Sequence, residues 1–239
     1  MISPLKLIRA IPLTGILILN AIPAPPLMPS LYIVGDSISV HYAPFLEKHL
    51  HGLFTCIHRE GAEEALRNLD LPTGANAGDS SRVLQFLRWK QEHGGIDADY
   101  LLLNCGLHDL RTDPVSGRKK TPLETYTANL RAIVATAATL RPRLIWVRIT
   151  PCHDAIHNRP GLDFHRHAAD VDAYNAAADS VMREHNIPSI DLHTFTLNQS
   201  TVPDGSDLYC DHIHFTPAIR EKQAAFIAGW LTGYVALSH

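Results

Sequence analysis

The chain has 239 residues, 46% hydrophobic and 19% charged, which excludes a disordered or low-complexity protein and leaves ample length for a full core. A net charge of −3, from 21 basic and 24 acidic residues with no run of one sign, argues against a nucleic-acid partner. Cys56, Cys105, Cys152 and Cys210 form no C-x-x-C pair, which excludes a zinc ribbon or a thioredoxin-type motif in what reads as a single soluble domain.

In chain order, Lys6 and Arg9 precede an apolar stretch from Ala10 to Ala24 that has the pattern of a signal peptide. Its end fits cleavage poorly, and an apolar arm packed on the domain is the alternative for residues 1–28. The protein is expected to be secreted or periplasmic if residues 1–24 act as a signal, and cytoplasmic otherwise. Pro12 and Pro23 interrupt the stretch, so no stable membrane span is expected.

From residue 30 onward short apolar runs alternate with helix-like segments. Leu31–Val34, Phe54–His58, Tyr100–Asn104, Leu144–Ile149 and Ser189–Leu192 read as strands. LYIV, YLLLN and LIWVRI are nearly continuous apolar runs, as in strands covered on both faces. Thr121-Pro122-Leu123-Glu124 has the form of a capping box with proline at the first helical position, followed by a stripe of Leu130, Ile133, Val134 and Ala137. Val171, Tyr174, Ala178 and Val181 form another stripe. A last helix is expected from Thr216-Pro217, burying Ile219, Phe226, Ile227, Trp230, Leu231 and Tyr234. Such alternation implies right-handed crossovers and a parallel α/β sheet with helices on both faces, whose functional loops follow the strands' carboxyl ends.

The first strand leads into Gly35-Asp36-Ser37-Ile38-Ser39. A serine there sits at a helix N-terminus, where backbone N–H groups favour developing negative charge. Gly78-Asp79-Ser80 repeats the tripeptide, but it follows the loop-like Thr73–Ala77 rather than a buried strand. A serine nucleophile needs a base, and the base needs a partner that sets its tautomer. Asp211 and His214 have the spacing that puts both side chains on one side of a turn; His212 has Tyr209 three residues back, which cannot orient it in the same way. Gly78 can bring a backbone N–H close to an oxyanion, and His108 in Gly106-Leu107-His108-Asp109 offers a ring N–H.

These blocks, in this order across residues 30–235, resemble the SGNH hydrolases of the GDSL esterase/lipase superfamily. The resemblance implies a three-layer α/β/α flavodoxin-like sandwich with a five-stranded parallel sheet over residues 29–239. It also implies a nucleophile at Ser37, an oxyanion glycine at Gly78, and the Asp-x-x-His block at Asp211 and His214. The family's third block carries an asparagine where this chain has His108. A neutral imidazole can replace the amide as donor only in the right tautomer, and Asp109 is the expected orienting group. Asp109 and Arg111 are also candidates for substrate contact.

The expected chemistry is hydrolysis of a short acyl ester, acetyl on a carbohydrate or a small molecule, through an acyl-enzyme on Ser37. The oxyanion is held by the N–H groups of Ser37 and Gly78 with His108. No metal or organic cofactor is required. An acyltransferase on the same machinery and a non-catalytic carbohydrate-binding module are the alternatives. His165/His167 and His212/His214, with Cys152, His153, Asp154 and His157, could feed a zinc site, but the pairs lie on different loops and no H-E-x-x-H is present. Cys152 and Cys210 are expected near the active edge, where they would pair in an exported protein. Trp89, Trp146 and Trp230 are expected to pack in the core or between helices.

Overall fold

The computed structural model describes residues 28–237, so the apolar N-terminal stretch lies outside the described residues. The elements run β1 (Ser30–Val34), α1 (Ser37–Leu50), β2 (Thr55–His58), α2 (Ala62–Arg67), α3 (Ser80–Glu92), β3 (Tyr100–Leu103), α4 (Leu123–Ala137), β4 (Arg143–Val147), α5 (Asp154–His157), α6 (Ala168–Glu184), β5 (Ser189–Ile190), α7 (Leu192–Leu197) and α8 (Pro217–Ala236). All strand pairs are parallel, and the five-stranded sheet has the order β2-β1-β3-β4-β5. Helix α1 packs on α8 on one face, while α3, α4 and α6 pack together on the other. This is the expected α/β/α sandwich.

The central strands β1, β3 and β4 are almost wholly buried, whereas edge strand β2 is half-exposed. That difference follows the sequence, because only the central runs lack polar alternation. The strands end earlier than the apolar runs do. Past the strand ends, the Asn104 amide still donates to Val34 O at 3.0 Å while its side chain donates to the Val147 carbonyl, and the Ile149 backbone is clasped by the Asn175 side chain.

The helical stripes of α4 and α6 are buried, as are Ile219, Ile227 and Leu231 of α8; Phe226, Trp230 and Tyr234 are only half-buried. The capping box at residue 121 does not form. Pro122 is the cap of α4 and Leu123 its first residue, because buried Thr121 is drawn to Asp109, whose carbonyl accepts its amide at 3.0 Å. Trp146 is in the core, but Trp89 is 50% exposed and stacks on His93. No described helix is long and apolar enough to cross a membrane.

With this strand order the chain reverses direction across the sheet between β1 and β3, opening a crevice outside their carboxyl ends. The segments after Val34 and after Leu103 flank that crevice.

Candidate active site

Asp36 caps α1 by accepting the Ile38 amide at 3.0 Å, which places Ser37 in the first turn with its hydroxyl toward the crevice loops. The 210–214 segment is a tight turn held by its own carboxylate. Asp211 Oδ1 accepts the amides of Ile213 and His214 at 2.8 and 2.7 Å, and Cys210 N donates to His214 O at 2.8 Å. Asp211 Oδ2 lies 2.8 Å from His214 Nδ1, and His214 Nε2 lies 2.8 Å from Ser37 Oγ, a residue 177 positions away.

A carboxylate can only accept, so the Nδ1 atom of His214 carries the proton, and Nε2 is left to accept from the serine hydroxyl. Burial opposes ionisation of Asp211, but the bonds from the His214 ring and the two amides outweigh it and hold the carboxyl well below the usual range. His212 points elsewhere, toward Asp70 and His157.

The loop carrying Gly78 extends the sheet past β2. Asn76 bridges Gly35, and the Ala77 amide donates to Gly35 O at 2.8 Å, which fixes the loop beside the Ser37 turn. Gly78 adopts φ +75°, and a Cβ there would meet Pro72 Cβ at 2.6 Å, so a side chain is doubly excluded. Its N–H donates to Asn76 Oδ1 at 3.1 Å. To serve an oxyanion that donor has to share or exchange this bond.

His108 is 1% exposed, and its Nδ1 is buried without a hydrogen-bond partner among the described residues. Burial first, then the cations Arg111, Arg166 and Lys120, push its pKa far down, so the ring is neutral. The expected orientation by Asp109 is not found. Asp109 is fully buried and accepts from the amide and hydroxyl of Ser80 at 2.8 and 2.5 Å. This also removes Asp109 as a substrate contact. Burial raises its carboxyl to about 7 despite those bonds.

Arg111 is likewise committed: it donates to Asp70 O at 2.7 Å and lies 3.9 Å over the Phe164 ring, because desolvated guanidinium seeks a carbonyl and a π-face. It does border an open depression with Lys119 and Phe164.

Ser80 also opens a helix, with Asp79 as its cap, so a loop preceding the second Gly-Asp-Ser did not distinguish the copies. Ser80 differs by its surroundings: its hydroxyl is taken by Asp109 and Asn129, and no histidine bonds to it.

The four cysteines are free, and Cys152 and Cys210 do not pair; Cys210 Sγ instead donates to Phe215 O at 3.3 Å. The histidine pairs are also spent separately. The His165 backbone pairs with Thr112, and His167 Nδ1 lies 3.0 Å from Asp154. Among the described residues no group of three His, Cys, Asp or Glu side chains is placed to hold a metal ion.

Sequence reading passed over His41, one turn beyond Ser37 on α1, whose ring meets that of His214 edge-on at 5.1 Å. Burial, then Arg220 and His214, lower its pKa to about 4, so it stays neutral and packs against the His214 ring. Its position four residues after the serine was the available signal.

The family model described as GDSL-like Lipase/Acylhydrolase matches residues 33–221. No curated relative matches the chain. Among solved structures, the lipase/acylhydrolase from Enterococcus faecalis is 16% identical with a TM-score of 0.63, covering 87% of this chain and 97% of its own. The acetyl xylan esterase AlAXEase is 14% identical with a TM-score of 0.62, over 84% and 99% of the two chains. Est24, a carbohydrate acetylesterase from Sinorhizobium meliloti, is 13% identical with a TM-score of 0.55, over 86% and 99%. With its sheet order, its crevice and a family match over most of its length, the chain belongs to the GDSL-like lipase/acylhydrolase family and is an ester hydrolase.

Proposed function

We propose that residues 29–239 form one hydrolase domain that removes short acyl groups, acetyl foremost, from carbohydrate esters through an acyl-enzyme on Ser37. The reading rests on the unbroken chain of 2.8 Å contacts from Asp211 through His214 to Ser37. The Ser37 oxygen attacks the ester carbonyl as its proton passes to His214 Nε2, and Asp211 stabilises the imidazolium. The N–H groups of Ser37 and Gly78, with the neutral ring of His108, receive the negative charge on the carbonyl oxygen. His214 returns the proton to the departing sugar hydroxyl. A water then gives a proton to the same nitrogen and attacks the acyl-serine, and His214 returns that proton to the departing Ser37 oxygen as the acid is released.

The acyl preference is supported by the lack of a long apolar lid segment in the sequence and by the names of two structural neighbours, an acetyl xylan esterase and a carbohydrate acetylesterase. A fluorophosphonate probe, mapped by peptide mass spectrometry, tests the nucleophile. Labelling of Ser37 with parallel loss of p-nitrophenyl acetate hydrolysis is expected; labelling of Ser80, or none, overturns the mechanism. Acetate release from acetylated xylan, compared across C2 to C8 p-nitrophenyl esters, tests the substrate class.

A further inference from the structure

The His-rich segments that serve neither a metal nor the base meet in one place. Arg166 is 2% exposed, His157 is fully buried and His212 is 7% exposed. Arg166 Nη1 lies 3.4 Å from His157 Nε2, His157 Nδ1 lies 2.7 Å from His212 Nδ1, and His212 Nε2 lies 3.0 Å from Asp70 Oδ2. The imidazole rings stack at 4.8 Å. At the other end Arg166 Nε donates to Leu107 O at 2.7 Å.

Only one proton arrangement satisfies all these contacts. A guanidinium only donates, so His157 Nε2 accepts and its Nδ1 carries the hydrogen. His212 Nδ1 then accepts, and its Nε2–H donates to the carboxylate. Burial first, then the Arg166 charge, lower His157 to about 3, which keeps it neutral and the direction of donation constant.

Each end of this chain reaches a loop of the site. Leu107 precedes His108, and His212 stands two residues before His214. The carbonyls flanking Asp70, those of Leu69 and Leu71, accept from Asn76 Nδ2 at 3.0 and 3.1 Å, and Asn76 Oδ1 in turn holds the Gly78 N–H. We infer that Arg166-His157-His212-Asp70 is a positioning relay that locks the loop bearing the base to the loops bearing the oxyanion donors, with Arg166 its central positioning residue. It rests on the roles proposed for His214, Gly78 and His108. A buried cation costs stability unless its hydrogen bonds are satisfied; here the compensating carboxylate acts through two imidazoles, so breaking any link loosens the whole chain.

Arg166 and His212 do not bond to each other, so a double-mutant cycle isolates the relay. R166M, H157F and H212F are each expected to lower kcat by about tenfold or more, with KM changed by less than about threefold. The R166M/H212F double variant is expected to stay within about threefold of its worse parent, since both cut one chain. Where a variant fails to fold by thermal melting, R166K and H157N take its place with the same expectation. Multiplicative losses in the double variant, single losses under about threefold, or losses carried by KM would overturn the relay. Wild-type labelling at Ser37 is measured alongside. Its failure refutes the proposed function, whereas labelling with an additive cycle refutes the relay alone.

Discussion

Asp211→Asn tests the tautomer argument directly. Asparagine keeps the shape, and its oxygen can still accept the Ile213 and His214 amides now held at 2.8 and 2.7 Å, so the turn survives. Its NH2 then replaces Oδ2 opposite His214 Nδ1, setting donor against donor across 2.8 Å. The ring escapes by moving its proton to Nε2, which can no longer accept from Ser37. The charge-assisted bond is worth about 1.5–3 kcal/mol, and the wrong tautomer adds to that loss. The equivalent change in the Ser-His-Asp template costs about 10⁴ in turnover. The Asp211 side chain is 38% exposed, so water screens part of its charge, and a loss of about 10²–10⁴ in kcat is expected here. The assay is p-nitrophenyl acetate turnover from pH 5 to 9 beside a thermal melt. Because Asp211 is held well below the usual carboxylate range, its own protonation does not shape the wild-type profile over that interval. A folded D211N protein with kcat within about tenfold of wild type refutes the reasoning.

His108→Ala should lower kcat by about 10²–10³ if the ring is an oxyanion donor; turnover within a few-fold sinks that role. Asp109 supplies a pH test. Its folded pKa of about 7 exceeds its ordinary value, so the folded state binds the extra proton between roughly pH 4 and 7, and this group's stabilising contribution is lost as pH rises through that window. D109N, which carries no buried charge, should therefore gain in melting temperature relative to wild type from pH 5 to pH 8, and a constant difference contradicts the assignment. Gly106 has φ +144°, and a Cβ there would stand 2.2 Å from Ile149 Cδ1 inside the core. Gly106→Ala should cost about 2–4 kcal/mol, read as a drop of about 5–15 °C in Tm; an unchanged Tm refutes the packing account.

The continuous apolar runs LYIV, YLLL and LIWV, set between helical stripes, already determined the parallel sheet, because a strand buried on both faces carries no polar alternation. Ser37, Asp211 and His214 were likewise legible, since strand-end and i, i+3 placements are local properties of the chain. Partnerships across the chain were not. Nothing near Asp109 in sequence says that Ser80 would take both its oxygens, and the same bond holds that second serine hydroxyl. His165-Arg166-His167 reads as a metal fragment around an ordinary arginine until folding buries the arginine against Leu107 and His157. The physical reason is that spacing along a strand or turn restricts a side chain's direction, whereas the partner that satisfies a desolvated charge is chosen by whatever the tertiary fold carries to it.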